Sequence, residues 1–297
     1  MLKETLLLFS DKLSRRQTVK EKQRFINTVA QPLLNQHIPV QLHRHPNKRV
    51  TSQNIQIGDL NHCRLMIVCG YDTASLMLNP SAGYYPLDAA RNKRTEQRNL
   101  LTYLVLALSA LLVIFWLAGR TEWYLLIIKL ACGAGLLFAV VMPSSRFNLN
   151  RNSAAAAVTF ELAAQHYQQT AFVFTDQTIS SYLGYQQLAD WCPPDAAKHF
   201  ILLEALACGK QLYVGGRAND AFGQDLAVKL KAEYLGLTPE QVDNCSLKLF
   251  HHSVVIFTAD EHQQVTPSRS YRDQHVDIKR LEQILDVLSQ FCQTYEA

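Results

Sequence analysis

The chain has 297 residues, a formal net charge of +4 and 48% hydrophobic residues. Its seven cysteines form no CxxC pair, which argues against a disulfide framework and favours free thiols in a reducing compartment. The basic excess clusters in one part of the sequence, without the interleaved aromatic residues of a nucleic-acid-binding face, so no nucleic-acid partner is expected.

The first hundred residues read as the beginning of an α/β domain. Helices are predicted over residues 2–13 and 15–36, and strands over 38–44, 52–57 and 64–70. The last of these, RLMIVCG, is a continuous apolar run that is typical of a buried central strand. Asp72 follows its carboxyl end, where open α/β sheets usually build their sites.

The middle of the chain predicts a transmembrane helical hairpin. Runs 100–118 and 123–142 are each close to the roughly 20 residues that cross a bilayer, and the only charge in either run is Lys129. Lys129 could snorkel to the linker side, and Gly133 and Gly135 would let the two helices approach closely. The competing interpretation is a pair of helices buried in a soluble core.

The charges around the hairpin predict its orientation. The linker carries one Arg and one Glu, whereas both flanks are basic. By the positive-inside rule, the protein spans the cell membrane twice with both soluble parts in the cytoplasm, and its expected partner there is anionic membrane lipid. The flanking basic residues are Arg91, Lys93, Arg94 and Arg98 before the hairpin and Arg146 and Arg151 after it.

After the hairpin, strands and helices alternate. Strands are predicted over 172–175, 199–206, 211–215 and 253–258, and helices over 153–167, 180–191, 221–235 and 277–295. Alternation of this kind predicts an α/β fold with a mostly parallel central sheet flanked by helices. Residues 1–99 and 143–297 would be the two halves of one domain, interrupted by the hairpin at 100–142. Without the hairpin, roughly 250 residues remain for that domain.

Several short motifs, in this order, resemble the di-zinc aminopeptidase family, which includes leucyl aminopeptidases and glutamate carboxypeptidases and has the phosphorylase/hydrolase-like fold. Residues 69–73 (CGYDT) stand where the family has A-H-x-D-(S/T), and 150–157 (NRNSAAAA) where it has N-D-N-x-S-G-x-A. The helix end L-E-L-A is matched by 160–163 (FELA). Looser matches to E-E and G-L-x-G-S fall at 172–178 and 182–185, and the last helix follows Asp273 as it follows H-T-x-x-D.

The resemblance implies a di-zinc site, but most of its ligand positions hold other residues. The family binds two zinc ions through His, a bridging Asp, Glu, Asp and His, with a second Glu as general base. The positions of the first His and the bridging Asp are Gly70 and Arg151, and the Glu-Glu pair falls at Gln177 and Thr178. Glu204 takes the second Asp position and Arg269 that of the last His. An arginine in place of the bridging carboxylate would repel metal, so we expect no metal and no cofactor.

We call these positions, together with the other residues carried by the motifs, the vestigial cleft. Asp72 could pair with Arg151 as a structural ion pair, and Glu204 with Arg151 or Arg269. Cys69 is a conceivable nucleophile, although a buried core thiol is the simpler interpretation. The vestigial cleft comprises Gly70, Asp72, Arg151, Asn152, Gln177, Thr178, Glu204, Arg269 and Asp273.

These observations predict a membrane-anchored, catalytically inactive, aminopeptidase-like protein. Its role would be binding or scaffolding, with a peptide or an anionic small molecule held against Arg151 and Arg269. One alternative is an active metal-dependent hydrolase with a rearranged site, which would use Asp72, Glu204 and a nearby His. Another is an adaptor subunit that docks through its hairpin to a membrane-protein partner.

Overall fold

The computed structural model describes residues 1–45, 52–79, 81–179, 182–192 and 198–296. One eight-stranded sheet runs through this part of the chain in the order β1-β2-β4-β3-β5-β8-β6-β7. The fourth strand along the chain, from after the hairpin, lies between the second and third, from before it. The strands are β1 (Val40–Arg44), β2 (Gln53–Ile57), β3 (Leu65–Gly70), β4 (Thr170–Thr175), β5 (His199–Leu203), β6 (Gln211–Arg217), β7 (Glu233–Leu237) and β8 (His252–Ala259).

The sheet is mixed, so the prediction of a mostly parallel sheet is right only for its centre. Strands β4, β3, β5 and β8 are parallel neighbours, whereas β1–β2, β2–β4 and β6–β8 pair antiparallel. At the far edge, β6 and β7 are parallel to each other. The connection between β5 and β6 explains the reversal, because residues 204–210 are too few for the crossover of a dozen or more residues that a parallel return needs.

Helices cover both faces of the sheet. Side chains of β3 alternate between two hydrophobic clusters, with Ile67 and Cys69 in one and Met66 and Val68 in the other. Helices α1 (Leu2–Leu7), α2 (Val19–Asn35), α5 (Ala154–His166), α7 (Ala221–Leu230) and α9 (Ile278–Glu296) contribute to the first cluster, and α6 (Leu183–Trp191) and α8 (Pro239–Asp243) to the second. Short π-helical turns continue α1 at Leu8–Lys12 and precede α5 at Leu149–Ser153.

Two predicted boundaries after the hairpin are wrong. The helix predicted to reach residue 235 ends at Leu230, because Lys231 adopts a left-handed conformation and the chain turns into the edge strand β7. The strand predicted to reach residue 206 ends at Leu203, and Ala205 beyond it also has a positive φ. Ser180, the predicted start of the helix over 180–191, lies outside the described residues.

The hairpin consists of α3 (Ala89–Trp116) and α4 (Trp123–Val141), both long and apolar enough to cross a membrane. Only 11% of the apolar window of each helix is buried, unlike a helix in a soluble core. Lys129 donates to the Arg120 carbonyl over 2.6 Å, which is the expected reach toward the linker. The predicted role of Gly133 and Gly135 is wrong, since a β-carbon added at either would meet no atom within 4 Å.

Helix α3 starts well before the apolar run, where the Asp88 side chain caps it by accepting from the Arg91 backbone N–H over 2.8 Å. The polar residues 89–99 therefore belong to the same helix as the apolar segment. At the foot of the hairpin, the entering and leaving chains pair: the Leu76 N–H donates to the Pro143 carbonyl (2.9 Å) and the Ser145 N–H to the Ala74 carbonyl (3.0 Å). The hairpin thus rises from the edge of the sheet where β3 ends.

Candidate functional site

The residues of the vestigial cleft lie at the carboxyl ends of β3, β4 and β5, where they form three groups. Three consecutive residues of the π-helical turn before α5 connect these groups. The Asn150 backbone N–H donates to Asp273 (2.8 Å), the Arg151 guanidinium pairs with Glu204, and the Asn152 side chain donates to the Asp72 carbonyl. The motif at 150–152 therefore contacts the segments that carry Asp72, Glu204 and Asp273.

The first group is centred on Asp72, which is buried. Its carboxylate accepts from both the backbone N–H (3.1 Å) and the hydroxyl (2.7 Å) of Thr178. The preceding Gln177 has a positive φ, and its backbone N–H donates to Asp176 over 2.8 Å. Thr178 also covers Gly70, because a β-carbon added there would overlap the Thr178 hydroxyl and lie 3.2 Å from its Cβ. This group is closely packed and has no room for a side chain at position 70.

The second group is a buried ion pair enclosed by tyrosines. Arg151 Nη1 lies 3.5 Å from Glu204 Oε2, and the two side chains are 4% and 6% exposed. The guanidinium carbon lies 3.0 Å from the centre of the Tyr84 ring, and the Tyr84 hydroxyl donates to Glu204. The Tyr185 hydroxyl donates to the other carboxylate oxygen over 3.3 Å. Burial works to lower the pKa of Arg151, but Tyr84 and Glu204 outweigh it, so that the pKa is raised and the guanidinium stays charged.

The third group joins the cleft to the hairpin. The Arg269 guanidinium forms an ion pair with Glu96 on α3, and its second contact to that carboxylate measures 3.4 Å. The Asp273 carboxylate accepts from the backbone N–H groups of Arg269 (3.1 Å) and Asn150 (2.8 Å). Burial raises the pKa of Asp273 to about 6, although these two donors work in the opposite direction.

A further acid beside the cleft is also paired. Asp176 follows β4, one residue before the position of the family's Glu-Glu pair, and lies 2.7 Å from the Lys22 ammonium of α2. Burial, with the nearby Asp72, raises the pKa of Asp176 to about 6, against the attraction of Lys22. Asp176 is therefore ion-paired with a residue of a neighbouring helix.

These side chains do not fit a pair of zinc ions. On the motif match, the Arg151 guanidinium takes the bridging position, and the first histidine position is Gly70, against which Thr178 is packed. The remaining acid with a matching position, Glu204, already has its oxygens engaged by Arg151, Tyr84 and Tyr185. Among the described residues, no group of three or more His, Cys, Asp or Glu is close enough to hold a metal ion.

The structure selects among the pairings expected from the sequence. Within the described part of the chain, Arg151 pairs with Glu204, whereas Asp72 and Arg151 form no ion pair. Arg269 pairs with Glu96 rather than Glu204. Burial also raises the pKa of the Cys69 thiol to about 12, as expected for a core thiol and not for a nucleophile.

Sequence reasoning missed the partners that satisfy these charges. Tyr84 and Glu96 lie in the polar stretch before the apolar runs, where no motif marks them, and the loose motif match at 182–185 gave Tyr185 no role. It also missed Arg16, a fully buried arginine whose guanidinium donates to Asn148 and Ser153 (both 2.9 Å) and to two backbone carbonyls. The signal that partners had to exist was Glu204, an acid at the end of an apolar strand that needs a partner when it is buried.

A cavity of about 550 Å³ lies next to the cleft, between α3 and the α/β domain. Its wall includes Glu96, Leu100, Met142, Tyr182 and Lys248, and none of the nine residues of the vestigial cleft. Arg151 and Arg269 are buried and ion-paired, so neither offers a free cation to a ligand in this cavity.

Comparison with known proteins shows the fold of the chain. No family model and no curated protein sequence match it. Among solved structures, the LapA aminopeptidase of Legionella pneumophila matches with a TM-score of 0.56 at 8% identity, over 98% of this chain and 70% of that one. A second LapA structure matches with a TM-score of 0.57 at 9% identity, over 98% and 71%.

A TET aminopeptidase from the marine sediment archaeon Thaumarchaeota archaeon SCGC AB-539-E09 matches with a TM-score of 0.53 at 10% identity, over 99% of this chain and 98% of that one. All three likenesses are to aminopeptidases. At these identities they show an aminopeptidase-like α/β fold for this chain and the fold alone.

Proposed function

We propose that this chain is a membrane-anchored, aminopeptidase-like protein that has no peptidase activity and acts by binding or scaffolding at the inner face of the cell membrane. The observation that carries the proposal is the buried Arg151–Glu204 pair at the centre of the cleft. The motif match puts Arg151 at the position where a di-zinc site needs a bridging carboxylate, and its charge is held there by a carboxylate beside two tyrosines.

The rival hydrolase with a rearranged site has less support. It requires Asp72, Glu204 and a histidine to converge on one point, as general acid–base chemistry demands. Asp72 accepts from Thr178, and Glu204 is enclosed by Arg151, Tyr84 and Tyr185. The two acids thus belong to separate, closed groups.

Membrane anchoring is supported by the exposure of the hairpin. Phe115 and Trp123, near the linker, are 81% and 76% exposed, and most of the apolar side chains along both helices also face outward. Exposing this much apolar surface to water would be very unfavourable, whereas a bilayer is a suitable solvent for it. The basic residues at the foot of α3 and the nearly neutral linker support an orientation with the α/β domain in the cytoplasm.

Two assays on the full chain test the two halves of the proposal. Release of an aminoacyl chromophore, with and without added zinc, should stay at the level of the buffer; clear turnover would overturn the inactive assignment. For topology, a cysteine introduced at Thr121 should react with a membrane-impermeant thiol reagent outside intact cells, and a cysteine at Ser81 should not. The unmodified chain is the control for its own thiols. Labelling of Ser81→Cys from outside would show that the chain has the opposite orientation in the membrane.

A second candidate function is supported by the two hairpin glycines. Nothing lies within 4 Å of a β-carbon added at Gly133 or Gly135, so this part of α4 is open to close approach by another helix. We infer that an adaptor role, in which α4 docks on a membrane-protein partner, is compatible with this surface. Cysteines at Gly133 and Gly135 should then cross-link to that partner in intact membranes, and the absence of any cross-linked product would count against the adaptor role.

A further inference from the structure

The first turns of α3 present two different faces. One face is a polar stripe that holds the helix to the α/β domain: Asn92 exchanges hydrogen bonds with the Tyr85 backbone, Glu96 pairs with Arg269, and Asn99 bonds to Leu76 and Leu78. These residues recur at helical spacing, so they lie on one side of the helix. The cytoplasmic end of α3 is therefore firmly attached and does not swing freely below the membrane.

The second face is basic and lines a different cavity. Arg91, Arg94 and Arg98 are spaced three and four residues apart, roughly 130° around the helix from the polar stripe. Together with Thr95 and Thr102, they form one wall of a cavity of about 450 Å³.

Among the described residues, the charges in this cavity have no acidic partner. The described lining contains no Asp or Glu, and none of the three arginines forms an ion pair with a described residue. The Arg91 guanidinium is stacked 3.8 Å from the centre of the Tyr85 ring, which fixes its orientation without neutralising its charge. Three cations around one cavity repel each other, so an anion placed among them would be strongly stabilised.

The opposite wall of the cavity is fixed by backbone pairing. The Tyr84 N–H donates to the Val265 carbonyl (3.0 Å), and the Val265 N–H returns a bond to the Tyr84 carbonyl (2.8 Å). The neighbours of these two residues, Gly83 and Gln264, line the cavity. Because both walls are anchored, a ligand would enter a preformed site and lose little affinity to reorganisation.

The depth of the cavity points to a lipid. Arg98 and Arg94 lie roughly 3 and 9 Å along α3 from residue 100, at 1.5 Å per residue. The polar layer of a bilayer is roughly 5–8 Å thick on each side, so these guanidinium groups reach the level of the headgroups. Thr102 belongs to the apolar run, and the cavity therefore extends from the cytoplasmic side across the membrane boundary.

We propose that this cavity binds the phosphate group of an anionic lipid headgroup from the inner leaflet, with Arg94 and Arg98 as its principal ligands. The acyl chains would lie along the apolar surface of α3 beyond Thr102. Guanidinium groups suit a phosphate because they offer paired donors in the geometry of its oxygens. This inference rests on the proposed insertion of the hairpin and on the cytoplasmic position of the domain.

A free phosphate ion offers the same oxygens but has no apolar part. The extension of the cavity past residue 100 adds nothing to the binding of a soluble anion, whereas it adds apolar contact for a lipid. Competition by inorganic phosphate therefore separates the two sources.

The test measures binding of phosphatidylglycerol to the full chain in nanodiscs of phosphatidylcholine. The variant R94Q/R98Q removes two charges from the cavity, and the matched control K93Q/R146Q removes two charges from the same membrane boundary outside it. We expect the first variant to lose roughly 30-fold or more in affinity, since each charge-assisted bond to a phosphate is worth a factor of about five or more. The control should lose less than about fivefold, and millimolar inorganic phosphate should not displace the lipid.

Three results would overturn the inference: equal losses in the two variants, which indicate diffuse surface attraction; no loss in R94Q/R98Q; or full displacement by inorganic phosphate, which makes a soluble anion the ligand. Thermal unfolding of both variants in detergent verifies that they are folded. The outcome is independent of the thiol-labelling and peptidase assays. A chain that inserts correctly and lacks activity, but binds lipid without Arg94 and Arg98, refutes this inference alone.

Discussion

Two pairs of arginines at the same edge of this molecule differ in whether an acidic side chain of the protein neutralises their charge. Arg151 and Arg269 are buried, and each faces a carboxylate, Glu204 or Glu96. Arg94 and Arg98 are exposed and face a cavity in whose described lining there is no acidic side chain. The first pair is satisfied within the protein and stabilises a closed cleft, whereas the second pair can be satisfied only by something from outside.

The paired arginines therefore have a structural role, whereas the unpaired ones are suited to binding a ligand. In the vestigial cleft, Arg151 and Arg269 are each paired with a carboxylate of the protein itself. At the foot of the hairpin, the charges remain available. We therefore expect ligand binding beside α3 and not in the vestigial cleft, which argues against the sequence-based hypothesis of a ligand held against Arg151 and Arg269.

The largest loss of stability is expected when Glu204 is removed from the vestigial cleft. Glu204→Ala leaves the Arg151 guanidinium buried without its carboxylate, which should lower the free energy of unfolding by about 3–5 kcal/mol. The matched control is Glu261→Ala, because Glu261 pairs with Lys210 at the surface, where both side chains are more than 70% exposed. That substitution should cost at most about 1 kcal/mol. Chemical denaturation in detergent measures both, and equal losses would contradict the role given to Glu204.

Packing at the first histidine position gives the next largest effect. Gly70→Ala brings a β-carbon into contact with Thr178 and should cost about 1–3 kcal/mol of stability. Gly133→Ala is the same substitution where no atom lies within 4 Å, and it should be neutral or stabilise by up to about 1 kcal/mol. In a Thr178→Ala background, the loss from Gly70→Ala should shrink. A loss that is unchanged in that background would show that Thr178 does not close the site.

The pH dependence of stability should reflect the protonation of the buried acid Asp273. Its folded pKa is raised to about 6, above the unfolded value of about 3.9, so the native state binds the proton more tightly. The stability that this proton contributes is complete below about pH 4 and is lost as the pH rises through about 6, by about 3 kcal/mol. Asp273→Asn should remove this part of the slope in thermal unfolding between pH 4 and 7; an unchanged slope would assign it to other groups.

The smallest effect on stability is expected at the open cavity. Arg94→Gln and Arg98→Gln remove exposed charges without acidic partners, so each should change the free energy of unfolding by less than about 0.5 kcal/mol in lipid-free detergent. Thermal unfolding without added lipid measures this change. A loss comparable to that of Glu204→Ala would mean that these arginines have a structural role after all, and the contrast between the two regions would disappear.

Much of the scaffold follows from local patterns in the sequence. The apolar run that becomes β3 and the two uncharged runs of the hairpin are visible because each pattern is long and periodic or continuous. The antiparallel direction of β6 could also have been predicted, since the connection at residues 204–210 is too short for a parallel crossover. The edge strand β7 could not be predicted in this way. Lys231 ends α7 in a left-handed conformation, and the sequence has no glycine there to indicate the end of the helix.

The site was harder to predict because its partners are distant in sequence. Arg151 could be recognised as a misfit in a family-like motif, and its pairing with Glu204 was one of the expected alternatives. Tyr84 and Glu96 could not be assigned, because the stretch 74–99 has no strong periodic pattern and α3 begins within it at Ala89. Long-range burial of polar groups depends on packing that one sequence does not reveal.

The zinc content of the full chain, purified without chelators from cells grown with zinc, tests the central claim most directly. The account predicts far less than one zinc ion per chain, because the bridging position is a guanidinium engaged by Glu204 and Thr178 fills the space beside Gly70. Near-stoichiometric zinc that is retained after dialysis and lost in Glu204→Ala would contradict it, since the vestigial cleft would then be a working metal site.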